Sequence, residues 1–218
     1  MTSLLKAFTI SAIFVLMSCG GDTIKNSAVD HSKMNHAAMD SAPNAADAPY
    51  DLQFLDTMIV HHQGAVDMAK VAETKAGHDE LKGLSRDVSA SQQAEIDKMR
   101  AMREERFPGA ASAVNMDLAG MRDSMKKMDM AQLGTLAGTD FDVAFIDQMV
   151  PHHLGAMIMG NEAMKKSENN DVKILAESIL KAQGPEVRKM SDWKMAWLRG
   201  VEAPAPFPAN EKVDLDKR

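Results

Sequence analysis

The chain has little cysteine and few aromatic residues. Cys19 is its only cysteine, which excludes an intramolecular disulfide. Aromatic residues make up 5% of the chain and β-branched runs are scarce, whereas Ala and the 19 Met residues are plentiful. Ala and Met are good helix formers, while aromatic and β-branched residues favour strands. This composition predicts an all-α fold.

Positive charge is also in short supply. The formal net charge is −6, so there is no basic field to neutralise phosphates, which argues against nucleic acid as the main partner. The sequence contains no phosphate loop and no dinucleotide fingerprint, and it suggests no Ser-His-Asp set. These absences leave metal binding as the chemistry that its motifs indicate best.

The apolar run from Ala7 to Met17 follows Lys6 and is too short to span a bilayer. Such a run is typical of a secretory signal. It ends in Leu-Met-Ser-Cys, which resembles the lipobox of bacterial lipoproteins, where the cysteine is lipidated. We therefore predict a signal peptide over residues 1–18 and a lipid on Cys19. An ordinary signal peptide with a chance cysteine is the alternative.

The lipid would be the only link to a membrane. It would place the protein on a membrane facing the periplasm or the cell exterior. Gly20 after the cysteine gives no inner-membrane retention signal, so we prefer the outer membrane in a cell with two membranes.

Residues 19–49 are polar and aperiodic, and we predict a disordered tether. This segment carries a short series of His and Met, which favours a flexible metal-capturing arm over a plain polar linker: His31, Met34, His36 and Met39. Residues 201–218 are Pro-rich and charged, and we expect a loose tail.

The central feature of the chain is a repeated stretch with two adjacent histidines. Residues 54–68 align with residues 145–159 without a gap, at an offset of 91 residues. His61 and His62 match His152 and His153. The segments that follow match at the same offset: Gln92 matches Gln183, Glu95 matches Glu186, and Met99 matches Met190. A period of this length fits a duplicated helical hairpin rather than a solenoid.

Apolar residues at spacings of three and four predict the helices. We expect them over residues 50–76, 79–107, 141–166 and 172–198, with Thr139 or Asp140 capping the third and Gly184-Pro185 interrupting the fourth. The repeats are residues 50–107 and 141–199. A connector, residues 110–140, would form a long Met-rich helical crossover. Together these segments predict a ferritin-like four-helix bundle over residues 50–200.

Each repeat offers a set of metal ligands. Met58 lies about one turn before the first His pair, and Met68 lies two turns after His61 on the same face. Adjacent histidines differ by about 100° in direction, so one faces the bundle axis and the other a flanking helix. A glutamate or glutamine there would accept the ring N–H, as in many metal sites. The predicted ligands are Met58, His61, His62, Met68, Met149, His152, His153 and Met159. The predicted supporting residues are Asp56, Gln92, Glu95, Asp147, Gln183 and Glu186.

The metal follows from the softness of these donors. Thioether and imidazole together favour copper, and the surplus of Met favours Cu(I). A catalytic zinc site would need more His or carboxylate, and a di-iron bundle would need a Glu-x-x-His motif that the chain lacks. Three methionines of the connector could add an auxiliary site or could simply pack, because Met adapts to irregular gaps: Met121, Met125 and Met128.

The combined pattern resembles the domain-of-unknown-function 305 family (DUF305). It consists of a Tyr/Phe-Asp pair, a Met followed by His-His-x-Gly-Ala, and Gln-x-x-Glu with a later Met on the return helix. The resemblance covers residues 50–200 and includes Tyr50-Asp51, Phe141-Asp142, Met99 and Met190. It implies a ferritin-like fold, export from a bacterial cell and, for some members, copper binding in copper tolerance. The first return helix lacks the Trp193 and Trp197 of the second.

Three functions fit these observations. The leading hypothesis is a lipid-anchored protein that sequesters copper or passes it on as a metallochaperone. Its partners would be the copper ion and either a copper exporter or another periplasmic copper protein, and no organic cofactor is expected. The alternatives are a ferritin-like redox enzyme, such as a cuprous oxidase, and a structural module whose buried histidines bind no metal.

Overall fold

The computed structural model describes residues 39–200, and all regular structure in this range is helical. The helices are α1 (Tyr50–Lys75), α2 (Asp79–Arg106), α3 (Met121–Met125), α4 (Met130–Thr135), α5 (Gly138–Lys166) and α6 (Asn170–Leu198). The four long helices form the bundle: α1 packs along α2, α5 packs along α6, and α1 lies against α5. The predicted all-α bundle is confirmed.

The core lies between the long helices and repeats in its two halves. Phe54, Met58 and Met99 are buried in the first half. Phe145 and Met149 are buried at the matching positions of the second half. Burying one such side chain contributes about 1.5–3 kcal/mol, so these stripes hold the hairpins together. No helix within residues 39–200 is long and apolar enough to cross a membrane.

One end of the bundle is closed by Asp142, which is fully buried. Its carboxylate accepts hydrogen bonds from the backbone N–H of Gly77 and His78, at 2.9 and 3.1 Å, and from His78 Nδ1 at 2.5 Å. Asp142 of α5 thereby fixes the turn between α1 and α2. The His78 ring stacks on Trp197 with centroids 3.9 Å apart. Trp197, which has no counterpart in the first half, thus packs α6 against the α1–α2 turn.

The crossover differs from the long helix that the sequence predicts. It contains only the short helices α3 and α4, joined by irregular backbone. Pro108 lacks an N–H, and Gly120 adopts φ 91°, so neither continues a helix. The first bundle half fixes this irregular backbone instead. Asp56 Oδ2 accepts from the N–H of Ala113 at 2.8 Å, and Thr57 Oγ1 accepts from the N–H of Asn115 at 2.9 Å.

Residues 39–49 are packed against the bundle rather than forming part of a disordered tether. The N–H of Ala42 donates to the carbonyl of Val114 at 2.8 Å, and the N–H of Met116 donates to Ser41 Oγ at 2.9 Å. Met39 packs against the core. These bonds join segments far apart in sequence, so local patterning did not reveal them. Residues 19–38, with His31, Met34 and His36, and residues 201–218 lie outside the described residues.

Both prolines within the long helices leave the helix unbroken. Helix α5 runs through Pro151, and α6 runs through Pro185, where the sequence predicted an interruption. A proline removes one backbone hydrogen bond, and packing along the rest of a long helix outweighs that loss. The predicted cap at Thr139 or Asp140 is also wrong. Helix α5 begins at Gly138, and its N-cap residue Ala137 makes no side-chain capping bond.

Candidate metal centre

The inner histidine of each pair faces the other at the centre of the bundle. The rings of His61 and His152 lie with centroids 3.7 Å apart and planes tilted by 32°. Both side chains are fully buried. Helices α1 and α5 bring them together because they pack directly against each other.

A serine of α3 orients the ring of His61. Ser124 donates its hydroxyl hydrogen to the carbonyl of Met121 at 2.8 Å, so Ser124 Oγ accepts from His61 Nε2–H at 3.0 Å. With its proton on Nε2, the neutral ring keeps a lone pair on Nδ1. That Nδ1 is buried and has no hydrogen-bond partner. A buried lone pair of this kind is a potential metal ligand.

The ring of His61 is held in its neutral, ligating form. Burial lowers its pKa well below the ordinary value because the imidazolium loses its solvation. The neighbouring rings lower the pKa further, in the order His152, His62 and His153. Protons therefore compete poorly for this nitrogen at neutral pH.

The outer histidine of each pair faces the return helix of its own hairpin. His62 Nε2–H donates to Glu95 Oε2 at 2.8 Å, and His153 Nε2–H donates to Glu186 Oε2 at the same distance. Nδ1 of both rings is buried and without a hydrogen-bond partner. A carboxylate behind an imidazole whose other nitrogen is available is the usual arrangement around a metal-bound His.

The two pairs have almost the same internal geometry. The ring centroids of His61 and His62 are 6.3 Å apart, with a tilt of 53°. Those of His152 and His153 are also 6.3 Å apart, with a tilt of 56°. The duplicated sequence has therefore produced a duplicated arrangement of donors.

A buried glutamine accompanies each glutamate. Gln92 and Gln183 are each 2% exposed, and neither the amide oxygen nor the amide nitrogen of either has a hydrogen-bond partner. An unsatisfied buried polar group costs about 1–3 kcal/mol. The same cost recurs at two matched positions, each three residues before the glutamate that bonds to an outer histidine.

The methionines differ in their relation to the rings. Met58, Met68, Met149 and Met159 are buried in the core. Met121 and Met125 of the connector are buried there too, as the packing interpretation expects. Met128 lies over Gly64 of α1. A Cβ built on Gly64 would be 3.1 Å from Met128 Sδ and 3.4 Å from His152 Nε2. Met128 Sδ and His152 Nε2 thus both lie close to Gly64.

In the structure, the two predicted supporting aspartates form ion pairs with basic residues of α2 and α6. Asp56 Oδ1 accepts from Arg103 Nε at 2.6 Å, and Asp147 forms an ion pair with Lys194. Arg103 and Lys194 match at the 91-residue offset, so this ion pair is part of the duplication. Sequence reasoning also missed Ser124. The only sequence feature that could have indicated Ser124 is its position among the methionines of the connector.

Within residues 39–200, no three His, Cys, Asp or Glu side chains converge as a metal cluster. The arrangement is instead a pair of imidazoles in each half, supported by a carboxylate and accompanied by amide and thioether groups. Imidazole nitrogens are suitable ligands for copper, and thioether sulfur atoms favour Cu(I).

A family model matches this arrangement. The model described as Domain of unknown function (DUF305) matches residues 18–103 and residues 51–194, which together include both His pairs. The chain belongs to the DUF305 family. Among curated proteins, the comparison finds no match.

Solved structures of DUF305-like bundles resemble the chain over most of their own length. CopM in the Cu(II)-bound form is 34% identical, with a TM-score of 0.59, over 67% of this chain and 97% of CopM. CopM in the Cu(I)-bound form is 33% identical, with a TM-score of 0.58, over 67% and 96%. A DUF305 protein of Streptomyces coelicolor, thought to be secreted, is 26% identical, with a TM-score of 0.59, over 73% and 98%.

Proposed function

We propose that this DUF305 protein binds soft monovalent copper at its two His pairs, as an exported copper-sequestering protein or metallochaperone. The observation that carries the proposal is the set of buried Nδ1 atoms. Those of His61, His62 and His153 have no hydrogen-bond partner, while Nε2 of each ring donates to Ser124 or to a glutamate. The tautomers are thus set for metal binding before any metal arrives.

Each pair would hold one ion between the Nδ1 atoms of its two rings. Neutral imidazole is a good ligand for copper, and low coordination numbers suit Cu(I). Glu95 and Glu186 would raise the basicity of the outer imidazole and balance the charge of the ion. The relatives support the choice of copper, because CopM has been solved in Cu(II)-bound, Cu(I)-bound and silver-bound forms.

The proposed setting is a lipid-anchored protein facing the periplasm or the cell exterior. Support comes from the lipobox-like sequence at Cys19 and from the resemblance to a DUF305 protein thought to be secreted. In that setting the protein would exchange copper with an exporter or another periplasmic copper protein.

A competition titration tests the proposal. Purified protein competes with a chromophoric chelator for Cu(I), alongside a variant with His61, His62, His152 and His153 changed to Ala. We expect affinity well beyond micromolar in the wild type and its loss in the variant. His78→Gln is the control, because His78 lies at the end of the bundle and bonds to Asp142. Micromolar or weaker binding that the fourfold variant leaves unchanged would overturn the proposal.

The same samples separate binding from an oxidase activity. A binding protein holds Cu(I) and slows its oxidation by oxygen. Turnover of added Cu(I) to Cu(II) faster than in buffer alone would instead support the enzyme hypothesis.

A further inference from the structure

Ser124 links the connector to the first His pair. Its Oγ lies 3.0 Å from His61 Nε2 and 2.8 Å from the carbonyl oxygen of Met121. A hydroxyl has one hydrogen to donate, and a carbonyl oxygen can only accept. The hydrogen of Ser124 is therefore committed to Met121, so Ser124 can only accept from the His61 ring. Ser124 is 3% exposed and His61 is fully buried, so solvent does not compete for this bond.

The two rings of the first pair have acceptors of different kinds. His62 donates to the carboxylate of Glu95, which lies in the duplicated hairpin and recurs as Glu186. The acceptor for His61 is a neutral hydroxyl of the connector. The connector lies outside both repeats, and no serine stands 91 residues before or after Ser124. A segment that occurs once therefore controls one ring of a duplicated set.

Close packing on α5 holds the Ser124 hydroxyl in place. A Cβ built on Gly155 would lie 2.4 Å from both Cβ and Oγ of Ser124, and 2.6 Å from the carbonyl oxygen of Gly120. Real Cβ atoms do not approach this closely, so only a glycine at position 155 lets the connector lie against the helix here. Met121 and Met125, on either side of Ser124, are buried in the core. These contacts tie the position of the hydroxyl to the position of the α3 turn.

Resting on the proposed function, we infer that Ser124 is a positioning residue that couples the connector to metal binding at the first His pair. With the ring proton on Nε2, His61 donates to Ser124 and offers Nδ1 to the ion. With the proton on Nδ1, the Nε2 lone pair would face the oxygen of a hydroxyl whose hydrogen is already engaged by Met121. Ser124 therefore disfavours the tautomer that cannot bind metal through Nδ1.

The coupling acts in both directions because it is a property of the binding equilibrium. An ion on Nδ1 of His61 excludes the tautomer that carries a proton there. The ion thereby keeps the Nε2–H donor directed at Ser124, which stabilises the α3 turn. The stability of the connector turn thus depends on whether the first pair is occupied.

The first experiment observes the tautomer in metal-free protein. Long-range ¹H–¹⁵N NMR spectra of histidine-labelled protein show which ring nitrogen carries the proton, and His61→Asn assigns the His61 signals. We expect the proton on Nε2 in the wild type and partly on Nδ1 in Ser124→Ala. Ser178→Ala is the matched control and should keep the wild-type tautomer, because Ser178 lies outside the connector and donates to the carbonyl of Leu175, at 2.7 Å, in the same three-residue pattern. An unchanged tautomer in Ser124→Ala would overturn the inference.

The second experiment measures affinity for Cu(I) in competition with a chromophoric chelator. One net hydrogen bond corresponds to about a fivefold change in an equilibrium constant. Ser124→Ala should therefore weaken one of two equivalents about fivefold and leave the other unchanged. Gly155→Ala, whose Cβ would displace Ser124, should have the same effect. Gly134→Ala is its control, because a Cβ on this connector glycine meets nothing within 4 Å. Wild-type affinity for both equivalents in Ser124→Ala would contradict the positioning role.

The third experiment follows the connector itself. Amide hydrogen exchange across residues 121–128 is compared in metal-free protein and in protein saturated with Cu(I). By reciprocity, exchange in the wild type should slow by about the same fivefold factor when the ion is bound. Ser124→Ala should lose this difference, and Ser178→Ala should keep it. Equal exchange with and without Cu(I) in the wild type would overturn the coupling.

These outcomes are distinct from a failure of the proposed function. If the wild type binds two Cu(I) ions and Ser124→Ala behaves like it in all three experiments, the inference falls and the His pairs stand. If the wild type binds no Cu(I), the proposed function falls and the coupling falls with it.

Discussion

The rings of His61 and His152 lie against each other with their centroids 3.7 Å apart and their planes tilted by 32°. Imidazole lone pairs lie in the plane of the ring. Two rings in this arrangement present their faces to each other, so they are not placed to hold one ion between them. Each inner ring is therefore expected to bind metal with its own sequence neighbour.

The first prediction concerns stoichiometry at the His pairs. Native mass spectrometry of the protein with a slight excess of Ag(I) should show two ions held at the pairs. Changing His61 and His62 to Ala should remove one ion, and changing His152 and His153 to Ala should remove the other. A single ion that either double variant abolishes would indicate one shared central site and contradict this reading of the geometry.

The second prediction concerns the two glutamates. Glu95→Gln and Glu186→Gln each replace the carboxylate that accepts from an outer histidine at 2.8 Å. Loss of such a supporting carboxylate costs about 10–100-fold in metal affinity. A Cu(I) competition titration should show this loss for one equivalent in each variant. Glu104→Gln, an exposed change on α2, is the control, and equal affinities in all three variants would refute the supporting role.

The third prediction concerns the buried amides. Gln92→Met removes two unsatisfied polar atoms from the core while keeping the length of the side chain. In metal-free protein it should raise the free energy of unfolding by about 1–2 kcal/mol. Denaturation by urea measures the change. Gln93→Met is the matched control, because Gln93 bonds to Asp97 at the surface, and its effect should stay within about 0.5 kcal/mol.

Such a gain would show that folding alone does not need Gln92. The same test applies to Gln183, which is equally buried. If Gln92→Met instead lowers the stability of the metal-free protein, the amide has a structural partner and its proposed relation to the site is wrong.

The fourth prediction concerns pH. Burial lowers the pKa of His61 in the folded protein, so below about pH 6.5 the unfolded chain binds a proton at this residue that the folded chain does not. The contribution of His61 to stability is complete above that pH. As the pH falls towards the lowered pKa, the free energy of unfolding should drop by at most ~1.4 kcal/mol per pH unit on account of His61.

Urea denaturation of metal-free protein at a series of pH values measures this slope. His61→Asn removes the titrating group and should make the dependence shallower between about pH 6.5 and pH 5. Parallel curves for the two proteins would mean that His61 does not carry the pH dependence.

The fifth prediction uses the duplicated ion pairs. Asp56 is 6% exposed beside Arg103, whereas Asp147 is 58% exposed beside Lys194. Arg103→Met leaves a buried carboxylate without its partner and should cost about 3 kcal/mol. Lys194→Met breaks a solvated pair and should cost at most about 1 kcal/mol. Thermal or urea denaturation gives both values, and similar losses at the two positions would show that burial does not separate them.

Much of the candidate site was predictable because it is duplicated. At the 91-residue offset, each His pair recurs together with a return-helix glutamate that lies three residues after a glutamine. Helical periodicity places these residues on inward faces. The division of each pair into one central and one flanking ring also follows from the ~100° step between helical neighbours. The chain's sequence alone therefore determined the helical fold and the two hairpins. It left Glu or Gln open as the partner of each outer His, and the structure decides for Glu95 and Glu186.

Only the tertiary structure decided how the two halves differ. The connector was predicted as a helix, but its backbone follows hydrogen bonds to Asp56, Thr57 and Ser41, which lie far away in sequence. Those bonds bring Ser124 to His61 and Met128 to Gly64. A local pattern carries no information about such long-range partners. The repeat thus makes two similar pairs, and the folded connector makes them chemically distinct.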